Sequence, residues 1–63
     1  MIIVTRLNGK EFVLNAELIR SVEEMPDTTI TLMEDKKYIV KESAQEVVKR
    51  AVDYGRQIRT FSN

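Results

Sequence analysis

The side chains able to do chemistry in this 63-residue chain are carboxylates, amines, guanidinium groups and hydroxyls, because it contains neither Cys nor His. A structural zinc site draws on thiolate or imidazole ligands, and the commonest general base near neutral pH is imidazole, so both routes are closed. Catalysis would fall to Asp, Glu, Lys, Ser, Thr or Tyr. Their scatter shows no paired catalytic arrangement, no Gly-rich phosphate loop and no nucleophile elbow. The expectation is a protein that is not an enzyme and takes no metal or cofactor. What remains is recognition by charge and apolar surface, and the densest group for it is Arg50, Arg56, Ile58, Arg59 and Phe61, with Lys49 beside them. These residues form a candidate surface for a partner or for self-association. An acidic protein or an anionic membrane face would suit its charge. Cations near a helix C-terminus also complement the helix dipole, which gives Arg56 and Arg59 a purely structural explanation as well.

Ten Lys/Arg balance ten Asp/Glu, and a neutral chain is not expected to grip nucleic acid, since that grip scales with the phosphates neutralised. The balance is uneven: residues 1–42 carry six basic against eight acidic side chains, and residues 43–63 carry four against two. No apolar run approaches the ~20 residues of a membrane span, and the N-terminus lacks the charged-then-apolar pattern of a signal peptide. A soluble, intracellular protein with at most peripheral membrane contact is expected. A single domain over residues 1–63 is also expected, and a chain this short buries only about 60% of the surface its unfolded form exposes. With disulfides and metals excluded, a homo-oligomer is the expected means of stabilisation.

The elements that must position these groups are legible in order. Ile2 to Leu7 and Lys10 to Leu14 are β-prone runs flanking Asn8-Gly9, the dipeptide that best accepts positive φ at both positions of a two-residue hairpin turn. That loop sets Arg6 opposite Glu11, Thr5 opposite Phe12, Val4 opposite Val13 and Ile3 opposite Leu14, with Arg6 and Glu11 as a solvated ion pair. Leu18 to Glu24 reads as a strand with Leu18, Arg20 and Val22 on one face, and Ile19, Ser21 and Glu23 on the other. Met25-Pro26-Asp27-Thr28 is a turn. Thr28 to Met33 and Lys37 to Lys41 form a second hairpin around a polar loop, with Ile30 and Leu32 on one face of the first strand, and Tyr38 and Val40 on the face of the second opposite Lys37, Ile39 and Lys41. Ser43 and Glu46 read as a capping box opening a helix over about 44–60, whose apolar residues recur at three- and four-residue intervals. Gly55 marks either its end or a close backbone contact. The fold class is α+β: a small, mainly antiparallel sheet of four to five strands within residues 2–41, with the C-terminal helix packed on one face. The core candidates are Ile3, Phe12, Leu14, Ile30, Leu32, Val47, Val48 and Ala51.

Taken in order, Val4-Thr5-Arg6-Leu7-Asn8-Gly9-Lys10-Glu11-Phe12, Leu14-Asn15, Leu18-Ile19, Pro26-Asp27-Thr28, Ile30-Thr31-Leu32, Lys36-Lys37-Tyr38 and Lys41-Glu42-Ser43 resemble the FlbD family of small bacterial flagellar proteins. The likeness spans residues 2–54 and departs at Glu34-Asp35, where a residue such as Gly is expected before the lysines. It implies a cytoplasmic accessory protein, at the inner face of the membrane, that supports motility and swarming through contact with the force-generating motor and its stator complex. The alternative is an RNA-binding translational regulator of the CsrA type, with which the chain shares an apolar first strand ending in Thr5-Arg6. An inert structural subunit is the third class.

Overall fold

A computed structural model of the chain describes the backbone of residues 1–62 and the side chains of residues 1–55. Five strands, β1 (Ile2–Thr5), β2 (Glu11–Leu14), β3 (Ile19–Glu24), β4 (Thr28–Leu32) and β5 (Lys37–Val40), precede one helix, α1 (Ala44–Ser62). A single 3-10 turn over Ala16–Leu18 leads into β3, capped by the Asn15 side chain, which accepts from the Glu17 N–H at 3.1 Å. The class is α+β with antiparallel pairing, as expected.

The expected single sheet is instead two, β1-β2 and β3-β4-β5. They touch through one bridge between Arg6 and Val40, and the Lys41 N–H donates to the Thr5 carbonyl at 2.8 Å. The physical reason lies in coverage, since one helix cannot shield the apolar face of five strands. Splitting the strands lets two inner faces cover each other: Ile2, Val4 and Leu14 from the first sheet meet Ile30, Leu32 and Val40 from the second, with Val47 of α1 completing the cluster.

In the first hairpin Ile2 pairs with Leu14, Ile3 with Val13, Val4 with Phe12 and Thr5 with Glu11, one residue away from the expected register. The loop holds three residues rather than two. The Gly9 N–H donates to the Arg6 carbonyl at 2.9 Å, the Arg6 N–H donates to the Lys10 carbonyl at 2.8 Å, and Gly9 sits at φ +90°. A one-residue slip turns over both faces of a strand. Ile2 and Val4 therefore point inward, while Ile3, expected in the core, is 53% exposed. Arg6 does not face Glu11 across the pair; its guanidinium lies 4.2 Å from the Phe12 ring centre and 5.6 Å from that of Tyr38.

The β4-β5 loop repeats this closure with Asp35 in the glycine position: Asp35 donates to the Leu32 carbonyl at 3.0 Å, Leu32 to the Lys36 carbonyl at 2.8 Å, and Asp35 has φ +65°. In β3 a bulge between Ile19 and Ser21 corrects the expected face assignment. The extra residue changes the alternation, so Ile19 and Val22 both pack against the core.

Candidate functional site

The start of α1 is held from three directions. Ser43 Oγ accepts from the Glu46 N–H at 3.1 Å, which is one half of the expected capping box. Glu24, at the end of β3, supplies an additional cap, its Oε1 accepting from the Ala44 N–H at 2.7 Å. Arg50, one turn further on, donates to the Ile3 carbonyl at 2.6 Å and to Glu42 Oε2 at 3.1 Å, and its Nε lies 3.4 Å from Glu46 Oε1. The helix is thereby tied to β1 and to the corner that follows β5.

Glu42 is the hub of that corner. Its side chain is 10% exposed and also accepts from the Thr5 N–H at 2.9 Å and the Thr5 hydroxyl at 2.8 Å. Burial pushes this carboxyl upward, but the hydrogen bonds from Thr5 and Arg50 outweigh burial and leave it below its ordinary value of 4.5. Such an arrangement fixes geometry; it does not poise a proton for transfer.

With α1 tied to β1 and to this corner, its apolar residues divide between two surroundings. Val47 is buried, and Ala51 and Tyr54 are half-buried. Val48 and Val52 are 49% and 45% exposed. Val48 was expected in the core. It lies about 100° around the helix from Val47, and the strip covered by β1, β3 and the 3-10 turn does not reach that far. The two valines form a ridge between two hollows. One, of about 550 Å³, runs against β3 and is lined by Ile19, Val22, Val47, Val48, Ala51 and Val52. The other, of about 520 Å³, is bounded by Ala44, Gln45, Lys49 and Asp53.

Of the expected surface group, Arg50 is an internal tie between helix and strand, while the side chains of Arg56, Ile58, Arg59 and Phe61 lie outside the described residues. The ridge itself had a signal in the sequence, an apolar stripe on α1 wider than one packing strip, of which Val48 was expected in the core and Val52 was not. The expected helix end or close contact at Gly55 is also corrected, since α1 runs through it and a Cβ there would meet nothing within 4 Å. Among the described residues no helix is long and apolar enough to cross a membrane, and no group of three potential ligand side chains is placed to hold a metal ion.

Fold and surface together define a small α+β domain in which two short sheets form the core and the C-terminal helix keeps an open apolar ridge. The family model described as flagellar and swarming motility proteins matches residues 1–59, and the chain belongs to this FlbD family. It is therefore a flagellar, motility-related protein. No curated protein and no solved structure matches it.

Proposed function

We propose that this chain is a non-enzymatic accessory protein of the bacterial flagellum, acting by protein-protein contact with the motor. The stator complex at the inner face of the cytoplasmic membrane is its partner. The observation that carries the reading is the family match over 59 of 63 residues. The residue inventory supports it, because a chain without Cys or His has surfaces to offer rather than reactive groups. The basic C-terminal run with Arg56, Ile58, Arg59 and Phe61 is the motor-facing contact. Its charge suits an acidic cytoplasmic loop, and such rim charges set association rate and partner choice. The family match lends nothing to the RNA-binding alternative.

The test is deletion in a motile host followed by complementation. Swimming or swarming falls on deletion, returns with the unaltered chain, and does not return with Arg56→Glu and Arg59→Glu together. A tagged chain co-purifies with stator proteins from solubilised membranes. Unchanged motility after deletion overturns the proposal, as does steep salt-dependent binding of RNA without any motor protein.

A further inference from the structure

We propose that the Val48-Val52 ridge pairs with the same ridge of a second copy, the two α1 helices lying antiparallel about a two-fold axis level with Ala51. The argument begins with the charges beside the ridge. Lys49 and Asp53 border the same hollow, carry opposite signs and are both exposed. Their neighbour Gln45 is uncharged, so among the described residues this flank carries no net charge. It is complementary to itself. When two helices run antiparallel about an axis at residue 51, position 49 of one lies level with position 53 of the other. Lys49 then faces Asp53 of the partner subunit, and the symmetry makes the pair twice.

The apolar residues obey the same axis. Val48 and Val52 are one turn apart, about 6 Å along the helix, and the two-fold at residue 51 brings each Val52 opposite the gap between Val48 and Val52 of the partner subunit. This is the interleaving by which helix ridges fill facing grooves. Ile19 and Val22, half-buried beside the ridge, extend the apolar strip on the β3 side. The chain's net charge of zero removes the long-range repulsion that would hold two copies apart.

Sedimentation of the full-length chain between 1 µM and 1 mM, about the range of weak to moderate self-association, tests this directly. The unaltered chain forms a dimer. Lys49→Glu alone or Asp53→Lys alone places like charges opposite each other twice and raises the dissociation constant by at least about tenfold. The double variant restores opposite charges and returns to within about threefold of the original. Far-ultraviolet circular dichroism shows all four chains equally folded, since both side chains are on the surface. The proposal is overturned by a monomer throughout the range, by single variants that dimerise like the original, or by a double variant as weak as the singles. It is also overturned by a monomer that sediments with phosphatidylglycerol vesicles and loses them on Val48→Glu, which assigns the ridge to a membrane.

Discussion

Glu42 accepts both polar hydrogens of Thr5, the backbone N–H at 2.9 Å and the hydroxyl at 2.8 Å, across 37 positions of sequence. The contact fastens the end of β1 to the turn between β5 and α1, where the two sheets otherwise share a single bridge. Its carboxylate is held below the ordinary 4.5, so in acid the unfolded chain takes up this proton before the folded one does. The stabilisation is present above 4.5 and is lost as pH falls through the folded value. Urea denaturation at stepped pH is expected to show stability declining below pH 4.5, and Glu42→Gln is expected to lose about 1–3 kcal/mol at pH 7 and to flatten that decline. An unchanged acid limb in Glu42→Gln would assign the acid sensitivity to other carboxylates.

Gly55 lies inside α1, with open space where a Cβ would go. Gly→Ala at an unobstructed helical position removes unfolded-chain entropy and raises helix propensity, so Gly55→Ala is expected to stabilise the domain by up to about 1 kcal/mol. Thermal melts read this directly. A lowered melting temperature would mean that the glycine serves a close approach.

Two loops with the same hydrogen-bond closure carry different residues at the left-handed position, Gly9 at φ +90° and Asp35 at φ +65°. Asp tolerates that region better than most residues but still pays a steric penalty that glycine avoids. Asp35→Gly is therefore expected to stabilise by about 0.5–1 kcal/mol, even though it removes the 2.7 Å ion pair with Arg20, because both partners are largely exposed. Gly9→Ala is expected to destabilise by about 1 kcal/mol from backbone strain alone, since nothing lies within 4 Å of the added Cβ. Urea midpoint shifts of opposite sign, relative to the unaltered chain, are the measurement. A loss of stability in Asp35→Gly would show the ion pair outweighing the backbone.

The element types were legible from the residues, because β-branched alternation, the Pro26 turn and the Ser43 start of the helix are all local signals. The split into two sheets was not, since it depends on which faces meet in space. The same boundary separates Val47 from Val48. Both belong to the apolar stripe of α1, and only the tertiary placement of the helix, which Arg50 ties to the Ile3 carbonyl, leaves Val47 covered and Val48 open. Asp35 stood out in the sequence as a residue where glycine was expected, and its positive φ supplies the reason. Arg20, by contrast, gives no local sign that the chain bulges beside it.

The register of the first hairpin is the reading most open to direct challenge, because two adjacent isoleucines report on it with opposite signs. Three loop residues leave Ile2 5% exposed and Ile3 53% exposed, whereas a two-residue Asn8-Gly9 turn would bury Ile3 against Leu14. Removing one methylene from a packed site costs about 0.5–1.5 kcal/mol, while the same change at a half-exposed site costs far less. Ile2→Val is therefore expected to lower stability by about 1 kcal/mol and Ile3→Val to leave it within about 0.3 kcal/mol. The deletion is small enough that both variants fold, so urea midpoints compare them under identical conditions. If Ile3→Val proved the costlier change, β1 would have to be turned over, and the contact between Arg50 and the Ile3 carbonyl would have to be redrawn with it.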